Sequence, residues 1–109
     1  MQDVVILGLG YVGLPLAQML SKKKEYRVFG VDIDAAKIRS LLAKSALAER
    51  AEPINFSSDF SKITMADIIV VCVPTPVLKN HLPDYRPLCN ACIEIERRMG
   101  KNRPPGKPA

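Results

Sequence analysis

The sequence predicts an α/β fold, a doubly wound parallel sheet of about four strands in the order 3-2-1-4 with helices on both faces. Three observations lead there. Short runs rich in β-branched residues alternate with longer stretches of helical periodicity along nearly the whole chain. Residues 68–73, IIVVCV, are apolar at every position, as in a parallel strand covered on both faces. Gly8, Gly10 and Gly13 stand at G-x-G-x-x-G spacing between the first such run and the first helical stretch.

Residues 4–7 read as a buried strand ended by Gly8. From 11 to 23, Val12, Leu16, Met19 and Leu20 recur at helical spacing. Pro15 falls near that helix start, where a missing N–H costs least, and Lys22–Lys24 complement the negative end of the helix dipole. Residues 27–32 (RVFGVD) form a second strand. Residues 35–49 form a second helix with Ile38, Leu41, Leu42 and Leu47 inward. A brief strand at 54–56 and a short helical stretch at 60–63 follow. The strand at 68–73 holds Cys72 in the core and is stopped by Pro74-Thr75-Pro76, because proline cannot donate to a ladder. Asp84 then caps a helix running to about Met99, with Leu88, Cys92, Ile95 and Met99 inward. Strand-helix alternation of this kind specifies one parallel-sheet domain over residues 1–99.

The chain has 109 residues, enough for one domain with a core and hardly two. Its net charge of +5 suggests an anionic partner until its distribution is read. Arg97, Arg98, Lys101, Arg103 and Lys107 follow the last acid, Glu96, and the preceding 96 residues carry 11 basic and 11 acidic groups. The body is neutral, and residues 100–109 (GKNRPPGKPA) read as a disordered basic tail without an aromatic for base stacking. Nucleic-acid binding is not expected. No stretch approaches the roughly 20 apolar residues that span a bilayer, and the N-terminus does not read as a secretory signal. Three cysteines, an odd number, argue against a disulfide framework and for a cytoplasmic setting.

Each glycine of the G-x-G-x-x-G spacing has a task in such a sheet. Gly8 turns the chain off the strand, Gly10 admits a pyrophosphate close to the backbone, and Gly13 packs the helix against the strand. The N–H groups opening the helix then meet the phosphates. The pattern demands an acid for a ribose diol at the end of the second strand, roughly 20 residues on. Asp32 stands there, 19 residues after Gly13. Its carboxylate accepts from both ribose hydroxyls and repels a 2′-phosphate, which favours NAD over NADP, while Lys37 and Arg39 partly offset the charge of Asp34. Val73, Pro74 and Thr75 either edge the cofactor cleft, with the Thr75 hydroxyl on ribose or phosphate, or only end the strand rigidly. Cys89 and Cys92 form a C-x-x-C with only His81 near as a third ligand, short of the four a zinc site wants.

With GLGYVGLPLA, VDID, MADIIVVCVPTP and LPDYRPL in view, the chain resembles, over residues 4–99, the N-terminal part of the UDP-glucose/GDP-mannose dehydrogenase family. It is most similar to members acting on UDP-N-acetyl-hexosamines. The resemblance implies NAD as cofactor and oxidation of the C6 hydroxyl of a nucleotide sugar. It places Gly10, Tyr11, Val12 and Gly13 on the pyrophosphate, Asp32 on the adenosine ribose, and Val73, Pro74 and Thr75 along the cleft. The interval 34–67 is short for the family, and only Glu52-Pro53 matches its E-P-G-L stretch. The family's catalytic cysteine, lysine and asparagine have no counterpart here. A truncated NAD-binding domain, not catalytic by itself, is therefore expected. The alternative is a stand-alone NAD(H)-binding module that self-associates through an open sheet edge or helix face.

Overall fold

The computed structural model describes residues 1–47 and 54–99. Strands β1 (Gln2–Leu7), β2 (Tyr26–Val31), β3 (Ile54–Ser57) and β4 (Ile68–Val71) form one parallel sheet in the order β3-β2-β1-β4. This is the predicted 3-2-1-4 arrangement. Helix α1 (Gly13–Ser21) follows β1, α2 (Ala35–Leu47) follows β2, a 3-10 helix (Phe60–Met65) follows β3, and α3 (Arg86–Arg98) follows β4. Leu7 pairs with both Val31 and Val71, so β1, β2 and β4 end level with one another. Their three following turns open on the same edge of the sheet, at the point where the strand order reverses.

The period of two along each strand divides the core between two faces. Val4, Ile6 and Val28 pack with Ala17 of α1, Ile38 of α2 and Leu9. Val5, Leu7, Phe29 and Val31 pack with Ile63 of the 3-10 helix and Ala91 of α3. Helices thus cover both faces, which is why β1 and β2 carry long apolar runs.

Several side chains depart from the predicted pattern. Among the described residues β4 pairs only with β1, at the edge where the 3-2-1-4 order puts it, but Ile68 of its apolar run is 39% exposed. The apolar run alone does not show how completely each of its residues is covered. Cys72 lies just past the end of β4, half-buried against the core. Leu42 is exposed because α2 faces the sheet through Ile38 and Leu41. On α3 the small Ala91 and Ile95 face the sheet, whereas Leu88, Cys92 and Met99 point outward. Asp84 does cap α3, its Oδ1 accepting from the Arg86 N–H at 3.0 Å, although the capping position itself is Tyr85. The Leu47 side chain, the helix end to Glu49, the Glu52-Pro53 pair and the tail at 100–109 lie outside the described residues. No helix of the described residues is long and apolar enough to cross a membrane.

An ion pair fastens the sheet at the opposite end from these turns. Buried Asp3 accepts from Arg27 Nε at 2.6 Å and from its Nη2 at 2.9 Å across the β1-β2 pair. Arg27→Met leaves the Asp3 charge without its guanidinium and is expected to lower stability by about 2 kcal/mol, since the pair is half-open to water. Urea denaturation measures this, and Asp3→Asn in the same chain is expected to restore part of the loss.

Candidate functional site

β1 ends at Leu7, and Gly8 turns the chain with φ +98, where a side chain is strained. A Cβ at Gly8 would also lie 2.5 Å from the Cys72 carbonyl oxygen. Leu9 drops into the core, Gly10 is exposed, and Tyr11 and Val12 project into solvent. A Cβ at Gly13 would overlap the Gly8 carbonyl oxygen, so α1 can start this close to the strand only with glycine there. Around Gly10 the position of a Cβ is open, with nothing within 4 Å. The N-terminus of α1 has no side-chain cap and no acid in its first turn. Pro15 brings no N–H of its own, the Leu14 and Leu16 N–H groups donate to the Gly10 and Val12 carbonyls at 3.2 Å, and no first-turn carboxylate competes for the donors before them.

Asp32 follows β2 on the same edge and is 8% exposed. Its Oδ2 accepts from the Leu9 N–H at 2.9 Å and its Oδ1 from the Asp34 N–H at 2.9 Å. Lys37 Nζ, on the first turn of α2, lies 3.4 Å from Oδ2. The carboxylate therefore ties the glycine turn to the β2-α2 turn while keeping lone pairs to spare. Burial raises its pKa, but the N–H groups of Asp34 and Leu9 and the Lys37 ammonium outweigh it and hold the group below the ordinary 3.8. A depressed folded-state pKa adds stability above the unfolded value that is lost as pH falls through the folded one. The carboxylate is thus expected to stay ionised at pH 5, and any ligand affinity that depends on it to be flat from pH 8 to about pH 5. Binding titrations across that range check this, and a midpoint near pH 6 would contradict it.

A cleft of about 620 Å³ opens at this edge, within the range of small-molecule sites. Gly8 and Asp32 line it from one side, Val73 and Pro74 from the segment after β4, and Asn90 and Ala91 from α3. A dinucleotide fits the chemistry of this donor set: open space over a glycine, a helix N-terminus without a side-chain cap for phosphate, and an ionised carboxylate for a diol. Among the described residues no group of three His, Cys, Asp or Glu side chains is placed to hold a metal.

Residues 2–103 match the model of the UDP-glucose/GDP-mannose dehydrogenase family, NAD binding domain. The chain belongs to this family. It is 32% identical over 106 residues to the UDP-N-acetyl-D-glucosamine 6-dehydrogenase of Pseudomonas aeruginosa, covering 90% of this chain and 25% of that protein. It is 30% identical over 93 residues to the UDP-N-acetyl-D-mannosamine dehydrogenase of Methanococcus maripaludis, covering 72% of this chain and 20% of that protein. A ternary-complex crystal structure of GDP-mannose dehydrogenase from Pseudomonas aeruginosa superposes with a TM-score of 0.72 at 30% identity, over 87% of this chain and 24% of that one. A UDP-D-ManNAc dehydrogenase from Pyrococcus horikoshii shares the fold, with a TM-score of 0.75 at 23% identity over 93% of this chain and 27% of that one. The chain thus spans between a fifth and about a quarter of these relatives' length. As in the family its model describes, the cofactor is NAD.

Within this NAD-binding domain, Gly8, Asp32, Val73 and Pro74 meet at the cleft, and Gly10, Tyr11, Val12 and Gly13 form the adjoining turn and helix start. Thr75 is exposed just beyond Pro74 and does not line the cleft. Two contributors were not singled out as site residues from the sequence. Lys37 touches Asp32 because it lies five positions on, across the turn into α2. The α3 wall is legible only once the helix face is known. Of the cysteines, Cys89 and Cys92 are exposed and do not line the cleft, and burial pushes the Cys72 thiol up.

Proposed function

We propose that this chain is the NAD-binding unit of a nucleotide-sugar 6-dehydrogenase and does not catalyse by itself. The observation that carries the reading is the meeting of Asp32, the glycine turn and the β4 end around one cleft at the switch in strand order. Gly10, Tyr11, Val12 and Gly13 then hold the pyrophosphate through backbone N–H groups at the start of α1. Asp32, with Lys37 beside it, holds the adenosine ribose and disfavours a 2′-phosphate. Gly8 shapes the turn, Val73 and Pro74 border the cleft, and Thr75 offers its hydroxyl at the rim. Bound NAD+ supplies a hydride acceptor. No thiol lines the cleft among the described residues, so the chain offers the cofactor no cysteine nucleophile. The names of the relatives support a UDP-N-acetyl-hexosamine as the sugar substrate of the whole enzyme. Three unpaired cysteines accord with a cytoplasmic setting.

The test is a thermal melt with and without NAD+, beside a spectrophotometric assay with NAD+ and UDP-N-acetylglucosamine. Saturating NAD+ is expected to raise Tm by several degrees, since ligand at a hundredfold excess over Kd adds about 2.7 kcal/mol. No NADH is expected to form. An unmoved Tm overturns the binding role, and NADH formation overturns the non-catalytic one.

A second reading has an observation of its own. β4 leaves one side unpaired among the described residues, and its apolar Ile68 is 39% exposed. An open apolar edge of this kind pairs with another chain, so the unit would self-associate. Light scattering at rising concentration tests it: a mass twice that of the chain supports the reading, and a constant monomer mass rejects it.

A further inference from the structure

Beyond Asp32 the cleft continues between the end of β2 and α3, and its lining there is apolar apart from a few groups. Ile33, directly after Asp32, is 83% exposed at one wall, while Pro74 and Ala91 lie at others. An isoleucine so open at the mouth of a cleft is a surface for a flat apolar face to cover. The α3 wall presents three polar side chains, Asn90, Glu94 and Arg97. Glu94 is engaged, by Arg98 Nε at 2.9 Å and by Arg97 at 3.9 Å. Asn90 makes no side-chain hydrogen bond among the described residues. A carboxamide carries a donor and an acceptor side by side, the complement of the adjacent donor and acceptor on the edge of adenine.

We propose that Asn90 reads the edge of the adenine ring and is a specificity-determining residue for the base of the cofactor. This rests on the NAD-binding reading above: once the ribose is held at Asp32, the base attached to it extends into this part of the cleft. Ile33 covers one face of the ring, and the Asn90 carboxamide accepts from the 6-amino group and donates to N7. Hypoxanthine replaces that amino donor with a carbonyl acceptor beside N7, so this edge carries two acceptors and the carboxamide oxygen loses its donor.

The experiment is calorimetric titration of the whole chain with NAD+ and with nicotinamide hypoxanthine dinucleotide, for the native protein and for Asn90→Ala. The native chain is expected to bind NAD+ about tenfold more tightly than the hypoxanthine analogue, the discrimination of one paired contact. Asn90→Ala is expected to bind both with equal, weaker affinity and to melt as the native chain does, because Asn90 is exposed. Equal binding of the two dinucleotides by the native chain overturns the proposal while leaving the NAD site standing, as does a preference retained in Asn90→Ala. A folded native chain that binds neither dinucleotide overturns both.

Discussion

Gly10→Ala and Gly13→Ala are expected to fail in opposite ways, although they change adjoining positions of one motif by the same single carbon. A Cβ at Gly13 overlaps the Gly8 carbonyl oxygen, a backbone atom fixed by the turn off β1. Helix α1 must then move away from the strand, at a cost of about 3 kcal/mol, the upper range for overpacking. For a domain of this size that lowers Tm by at least about 12 °C, and NAD+ binding falls with the fold. A Cβ at Gly10 meets nothing within 4 Å. Gly10→Ala is therefore expected to keep or slightly raise Tm, since alanine restricts the unfolded chain. The added methyl would stand where a pyrophosphate approaches the helix N-terminus. Losing one charge-assisted contact there weakens NAD+ binding about ten- to a hundredfold. Melting curves and titrations on the two variants separate the glycine that builds the turn from the glycine that serves the ligand. Equal loss of stability in both would contradict this division.

Asp32→Ala carries the second large effect, because the carboxylate does two jobs. Within the protein it accepts from the Leu9 and Asp34 N–H groups, and Leu9 is 2% exposed. Removing the acceptor from the Leu9 N–H costs about 1–3 kcal/mol. Toward the cofactor it offers a charged acceptor for two ribose hydroxyls, so NAD+ affinity is expected to fall about a hundredfold. NADP+ affinity falls less, since the repulsion of a 2′-phosphate disappears along with the carboxylate. The ratio of the two affinities is thus the sharper readout, and it drifts toward unity in the variant. Asp32→Asn keeps one acceptor oxygen for the latch but no charge. It is expected to recover part of the stability and little of the NAD+ preference.

Much of this was legible in the sequence because the physics acts locally. The Gly8-Gly10-Gly13 spacing, the strand before it and Asp32 after it are each set by short-range geometry, and the structure places them together. The parallel sheet followed from the alternation, and the 3-2-1-4 order from the dinucleotide-binding arrangement that the glycine spacing marks. What could not be read depended on the neighbours an element has. IIVVCV is apolar at every position, yet Ile68 is 39% exposed, because the run does not show how completely its neighbours cover each residue. On α3, Leu88, Cys92 and Met99 are larger than Ala91, yet Ala91 is the one buried in the core and the other three are exposed. Apolarity marks a helical stripe but not its rotation. The same error hid the contribution of Asn90, which lies on a face visible only after α3 is docked. Lys37 is legible as a nearby charge, but its contact with Asp32 depends on the turn into α2.

The most direct measurement is isothermal titration of the folded chain with NAD+ and, separately, with NADP+. Saturable binding of NAD+, with NADP+ at least about tenfold weaker from the charge at Asp32, is the predicted result. Absence of NAD+ binding by a chain shown to be folded, or equal affinity for the two, would contradict it and leave the glycine turn as architecture alone.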